Sequence, residues 1–265
     1  MKIDKINALY FSPTSSSEKV CCSIAKSIAG TSMPIEKYSF TFDSEGKNYF
    51  NDNELLVISA PIYGGRLPNL AIDRFNKLKG HNTPVVVIAC YGNRGYDDAL
   101  LEFTDFLIER GFVVIAAALF IGEHSFSREK ENMPIALNRP DSSDITKAND
   151  FGREVYEKLL KIENINSLDK LKVKGNFPYK IKKPSAPVSP VCDHNVCTLC
   201  GTCVEICPAH AISIIDNLIT FDPTLCIKCC ACVKNCPSEA LTFNTPYTKS
   251  IFENFSKRLE PEIFI

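Results

Sequence analysis

The chain has no apolar stretch long enough to cross a bilayer. Its longest, Phe112 to Ile121, falls well short of the ~20 residues a spanning helix needs. Its start does not look like a signal peptide, because charges interrupt the short apolar run of MKIDKINALYF. It has almost no net charge, −1 over 265 residues, so no global field draws it to nucleic acid or a membrane surface. It contains no G-x-G-x-x-G, no G-x4-G-K-[ST] and no G-x-S-x-G, which argues against nicotinamide, P-loop and α/β-hydrolase chemistry. No paired-carboxylate site and no DNA-binding element can be identified. The expectation is a cytoplasmic chain of about two domains, where thiols stay reduced.

Cysteine, by contrast, is abundant: thirteen residues. Eight of them form one pattern written twice. Cys197, Cys200, Cys203 and Cys207 make C-x2-C-x2-C-x3-C followed by Pro208, and Cys226, Cys229, Cys232 and Cys236 repeat it before Pro237. Each position of the second copy lies 29 residues after its counterpart. Three thiolates on a tight loop can wrap one face of a compact inorganic cluster, and the x3 step carries the chain away. Zinc sites usually show C-x2-C pairs with a long gap, and disulfides need an oxidising compartment; both readings are weaker. The remaining five, Cys21, Cys22, Cys90, Cys192 and Cys230, are read as non-ligands, because the repeat selects the other eight without conflict.

Residues 190–245 resemble the bacterial 2[4Fe–4S] ferredoxin family, in which the fourth cysteine of each run ligates the other cluster. The resemblance implies a crossed assignment. Cys197, Cys200, Cys203 and Cys236 would hold one [4Fe–4S] cluster, and Cys226, Cys229, Cys232 and Cys207 the other. That crossing would tie together a small α+β domain over 191–245, too small for a large core.

Residues 1–162 alternate strand and helix patterns. Strands are expected at 6–11, 35–41 (near an edge), 55–60, 85–90 and 113–121, with helices between them and a last helix over 144–161. Five strands alternating with helices argue for a doubly wound parallel sheet. Ligands of such sheets bind outside the carboxyl ends of the strands. Three loops leave such ends. Ser12-Pro13-Thr14-Ser15-Ser16-Ser17 opens a helix, whose free N–H groups and dipole favour an anion. Ala60-Pro61-Ile62-Tyr63-Gly64-Gly65-Arg66 has two glycines that permit close approach. Tyr91-Gly92-Asn93-Arg94-Gly95-Tyr96-Asp97 has rings able to stack. Each loop alone is an ordinary cap or turn.

Together the three loops resemble the flavodoxin family, whose five-stranded sheet has the order 2-1-3-4-5 and carries FMN at the switch point. The resemblance assigns Ser12, Thr14, Ser15, Ser16 and Ser17 to the phosphate. Pro61, Ile62, Tyr63, Gly64 and Gly65, with Tyr91, Gly92, Asn93, Arg94, Tyr96 and Asp97, would flank the isoalloxazine, Gly64 and Gly65 near its N5. Ser15 stands where that family usually has glycine. Tyr91 is the first choice for a stacking ring, with Tyr63 and Tyr96 as rivals. The whole chain is similar to flavodoxin–ferredoxin fusion proteins of anaerobic bacteria and archaea. His124, in a G-E-H-S-F-S segment typical of that group, is expected to be a surface-loop residue, with an approach to the flavin or a cluster as the alternative.

Residues 163–190 read as a linker rich in Lys170, Lys172, Lys174, Lys180, Lys182 and Lys183, then Pro184, Pro187 and Pro190. Its lysines suggest a solvated face, or a stripe that meets an acidic partner. Residues 246–265 suggest a short tail helix. The leading expectation is an electron carrier between unidentified redox protein partners, using one FMN and two [4Fe–4S] clusters. The alternative is an FMN-dependent reductase of a quinone, oxygen or a disulfide. A redox sensor ranks third.

Overall fold

The fold is that of a computed structural model, which describes residues 1–42, 46–181 and 186–265. The alternating pattern produces β1 (Lys5–Tyr10), α1 (Ser16–Ala29), β2 (Ile35–Ser39), β3 (Glu54–Ile62), α2 (Asn69–Phe75), β4 (Thr83–Tyr91), α3 (Ala99–Ile108), β5 (Phe112–Ile121) and α4 (Ser142–Lys161). The five strands pair in parallel in the order 2-1-3-4-5, the flavodoxin-like arrangement.

β3, β4 and β5 are buried almost end to end. That is why they read as continuous Val, Ile, Leu and Ala runs rather than as alternating ones. Val20, Cys21, Ile24 and Ile28 of α1 pack with Phe151, Val155 and Leu159 of α4 on one face. Phe75 of α2 and Phe103 of α3 stack on the other, 5.9 Å apart. β2 is only partly buried, as an edge strand should be.

The cysteine-rich segment follows. Its elements are α5 (Thr202–Glu205), β6 (Ile212–Ile215), β7 (Leu218–Phe221) and α6 (Ala231–Lys234). The 29-residue repeat is also a backbone repeat. Leu199 and Lys228, Gly201 and Cys230, and His210 and Glu239 all have positive φ. Asp222 donates its N–H to Ala211, as Asp193 does to Ala240, both at 2.8 Å. The antiparallel pair Val191–Cys192 with Leu241–Thr242 closes the unit.

The tail differs from expectation. After α7 (Tyr247–Phe255) it forms β8 (Glu262–Phe264), which pairs antiparallel with β5 as a sixth strand of the large sheet. The segment before the cysteines also differs. Leu171 and Val173 pack on the α/β core. Asp98 accepts from the backbone N–H groups of Asn176 and Lys180 at 2.8 and 2.7 Å, and Tyr179 donates to Asp105 at 2.7 Å. Lys170 meets Asp105, Lys174 meets Glu262 and Lys180 meets Asp97. Three of the six lysines thus meet acidic groups of the chain itself, and 170–180 is a strap on α3. Lys182, Lys183 and Pro184 lie outside the described residues.

Candidate functional site

Two cavities lie in the cysteine-rich unit. One, an open space of about 280 Å³, is lined by Cys197, Cys200, Cys203 and Cys236. The other, about 350 Å³, is lined by Cys207, Cys226, Cys229 and Cys232. The fold therefore brings the fourth cysteine of each run to the other run's loop. The sulfurs surround a space rather than a point: among the described residues no group of three or more His, Cys, Asp or Glu is close enough to hold a single metal ion. All thirteen cysteines are free thiols. Burial pushes the Cys229 and Cys232 thiols up to about 12, so cationic iron would have to offset the desolvation of their thiolates.

The two extra cysteines differ. Cys192 sits beside Cys197 and outside both linings. Cys230 lines the second cavity, but its backbone stands where Gly201 stands in the first copy, at φ 58 against 79. It is the cap of α6 in a left-handed conformation.

At the carboxyl ends of β1, β3 and β4 the three loops come together. Ser15, the N-cap of α1, has φ 62, the left-handed region where glycine is favoured. Ser15 therefore holds a conformation that glycine adopts without a steric cost. The Glu18 N–H is taken by the Ser12 hydroxyl at 3.0 Å, and Ser17 is buried. Thr14, Ser15 and Ser16 remain at the surface of the loop, beside first-turn amides that no intrahelical carbonyl can reach. Gly122 approaches Ser16 so closely that a Cβ there would lie 3.0 Å from the serine Cβ.

Gly64 and Gly65 form a turn with φ 63 and 79, closed by the Tyr63 N–H on the Arg66 carbonyl at 3.0 Å. Both central residues need positive φ, so Gly-Gly fits. A Cβ on Gly65 would strike the Asp97 carboxylate, which shows how tightly the second and third loops abut. Arg66 is structural: it pairs with Glu102, with Nε to Oε2 at 2.7 Å, and donates to the Lys180 carbonyl. Arg94 lies 3.7 Å from Asp97.

The aromatic assignments change. Tyr91 is 4% exposed and belongs to the core under Tyr96, ring centroids 5.3 Å apart. Burial raises its phenol to about 12. As the last residue of β4 it faces the α3 side, so it offers no free ring. Tyr96 donates to Glu262 at 3.0 Å. Tyr63 is half-buried at the rim; burial first, then Cys229 and Cys230, raise its phenol well above the ordinary range. Asn93 is 1% exposed, at φ 64. Its amide donates to the Phe255 and Lys257 carbonyls at 2.5 and 2.8 Å, while its Oδ1 is buried without a partner. A buried orphan acceptor normally signals a missing donor; a ligand rich in N–H and O–H groups satisfies that condition.

His124 is half-buried rather than a free surface residue. Its Nδ1 accepts from the Phe126 N–H at 2.9 Å, and its ring lies against Gly92. Burial, then Lys234 and Arg94, lower it to about 4. Other residues at the junction gave no sequence signal. Arg74, on the buried side of α2, donates to the carbonyls of Pro208 at 2.6 Å, Phe40 at 3.1 Å and Thr41. Ile227 packs on the α/β core. Lys234 meets Glu123 at 2.6 Å, Arg128 donates to the Phe243 carbonyl, and Phe126 packs on Phe243.

Comparison with known proteins agrees with this geometry in the C-terminal half. The family described as "4Fe-4S binding domain" matches residues 193–213 and 219–242. No curated protein matches the chain. Among solved structures, a flavodoxin from the domain Archaea aligns at 12% identity with TM-score 0.41, covering 59% of this chain and 99% of that one. Oxidised Flavodoxin 1 from Bacillus cereus aligns at 17% and 0.40, covering 58% and 97%. A flavone reductase aligns at 12% and 0.40, covering 82% and 80%. The first unit has the strand order 2-1-3-4-5 of the flavodoxin-like fold, and the cysteine runs of the second lie in the segments that match the 4Fe–4S binding domain family.

Proposed function

We propose that the chain is an electron-transfer protein joining one FMN to two [4Fe–4S] clusters. FMN supplies one- or two-electron chemistry and each cluster one-electron chemistry. The observation that carries the reading is the junction. The second cysteine quartet abuts the Tyr63–Gly65 turn, with Ile227 in the α/β core and Arg74 on the carbonyl of Pro208, next to Cys207. Two redox sites that acted separately would not require such a contact.

The chain's own residues have distinct tasks. Thr14, Ser15, Ser16 and the first amides of α1 would hold the phosphate as neutral donors. Ser12 caps the helix that presents them. Gly64 and Gly65 keep the turn free of side chains, and Asn93 Oδ1 is available to accept from the ligand. Tyr63 takes the stacking role in place of Tyr91. Cys197, Cys200, Cys203 and Cys236 would ligate one cluster, and Cys207, Cys226, Cys229 and Cys232 the other. Arg74 and Lys234 fix the distance between the units. Among the described residues no helix is long and apolar enough to cross a membrane.

Rapid mixing of the anaerobic holoprotein with a one-electron donor tests the reading. Cluster bleaching should precede flavin reduction, at a flavin rate independent of protein concentration. A flavin rate that rises with concentration would mean exchange between molecules and would overturn the internal connection.

A further inference from the structure

Gly92 and Gly122 lack positive φ, so a left-handed backbone is not why they are glycine. Space is the constraint instead. A Cβ on Gly92 would lie 2.7 Å from Cδ2 of the His124 ring and 2.9 Å from the His124 Cα, and one on Gly122 would lie 3.0 Å from the Ser16 Cβ. Both glycines thus clear room for one segment, 122–124, to press on the first and third loops. The Gly122 N–H on the Tyr91 carbonyl at 3.0 Å holds it there. The end of β5 is therefore a fourth wall of the site, beside the loops that leave β1, β3 and β4.

His124 is fixed in that wall. Its N–H donates to the Ile135 carbonyl at 3.1 Å, and its carbonyl accepts from the Ser127 N–H at 3.0 Å and from Lys234 Nζ at 3.2 Å. The Phe126 ring meets its ring edge-on, centroids 5.1 Å apart. Nδ1 accepts from the Phe126 N–H, so the neutral ring carries its proton on Nε2. Among the described residues Nε2 donates to nothing. Its neighbour in the ring, Cδ2, is the atom laid against Gly92. Burial and the cations Lys234 and Arg94 keep the imidazole uncharged down to about pH 4. A fixed, neutral N–H without a protein partner thus lies beside Gly92, whose neighbour Asn93 has a buried Oδ1 that lacks a donor.

We infer that His124 is a flavin-contacting residue: its Nε2–H donates to a ring acceptor of FMN and stabilises the negative charge that the ring gains on reduction. This rests on the proposed FMN site. A donor beside an acceptor suits the imide edge of isoalloxazine, where carbonyl oxygens flank an N–H. Reduction brings two electrons through the clusters and one proton from water, and leaves one negative charge shared by N1 and the O2 carbonyl. His124 keeps its own proton. A preorganised neutral donor strengthens as charge develops on its acceptor. Histidine at this position therefore favours the reduced ligand over the oxidised one.

The experiment uses anaerobic full-length holoprotein of established iron content, with FMN as the probe. His124→Leu removes the donor and keeps an apolar body. It should weaken reduced FMN about tenfold more than oxidised FMN, which lowers the two-electron midpoint of the bound flavin by about 30 mV. His124→Asn keeps an N–H and should stay within about threefold of wild type. Iron content should not change in either. In wild type isotope-labelled at its histidine ring nitrogens, the Nε2 resonance that His124→Asn deletes should move when oxidised FMN is added, and move further on reduction. The resonances of His81 and His194 should stay. Equal weakening of both oxidation states in His124→Leu would mean a packing role and overturns the inference, as does an Nε2 resonance indifferent to FMN. Both outcomes leave the FMN site itself standing. Wild type that binds no FMN sinks both readings.

Discussion

The α/β domain and the cysteine-rich domain are held together by different means. Among the described residues the first has 25 buried residues on one side of its sheet and 24 on the other. The second has a core cluster of five, two of them the ligand candidates Cys203 and Cys232. A core that small does not offset chain entropy by itself, and such domains depend on metals or cross-links. The first domain can thus be formed before its ligand arrives. The second, with so small a core, would depend on its inorganic content for its fold.

Removing iron should have the largest effect. Chelation under reducing conditions should abolish hydrogen-exchange protection over 191–245 while the α/β domain keeps its helical signal, because metal binding free energy is folding free energy in such units. Protection that survives in the iron-free segment would break the comparison.

Single ligands come next. Cys236→Ala and Cys207→Ala should each remove about half of about eight irons, and each should spoil the cluster of the opposite run. Cys192→Ala should keep all the iron. So should Cys230→Gly, which also relieves a left-handed non-glycine residue worth roughly 1 kcal/mol. Iron analysis and electron paramagnetic resonance would decide. Loss of iron from either of the last two would bring that thiol into the ligand set.

The smallest effect concerns the α/β side. His124 is held below its ordinary value, to about 4, by burial and by Lys234 and Arg94, with Glu123 its acidic neighbour in sequence. The folded state therefore resists its protonation. The unfolded chain binds the proton at about 6.5, so stability should fall as pH drops from there towards 4. The ring is only partly buried, and solvent screening reduces the cost to about 1–2 kcal/mol. Denaturant titrations at two pH values, on wild type and His124→Asn, would show it. An equal pH slope in the variant would assign the effect to other groups.

The sequence made the sheet legible because burial on both faces leaves a continuous apolar signature. The strand expected at 113–121 is observed at Phe112–Ile121, and the last helix expected at 144–161 begins two residues earlier, at Ser142. The cysteine spacing was equally legible, because a local repeat encodes a local loop. What escaped was long-range. Lys170, Lys174 and Lys180 have no local periodicity, and their partners lie 65, 88 and 83 residues away. Tyr91 looked available because nothing local reveals which face the end of β4 turns inward. Arg74 stood out in no motif; its place between Ala71, Phe75 and Leu78 puts it on the buried side of α2. The three-residue β8 is too short for any pattern.

That last strand changes what kind of fusion this is. The chain leaves the α/β domain through a strap fastened to α3, builds the cysteine-rich domain, and then returns to β5, to Asn93 through the Phe255 and Lys257 carbonyls, and to Arg139 through the Leu259 carbonyl at 2.6 Å. Topologically the second domain is an insertion near the end of the first, moored at both ends. A domain on one tether samples a sphere of positions, whereas one on two moorings is confined to a narrow arc. Cutting the chain after residue 245 would leave all eight candidate ligands in place, yet it would unstitch the rim of the loop that carries Asn93.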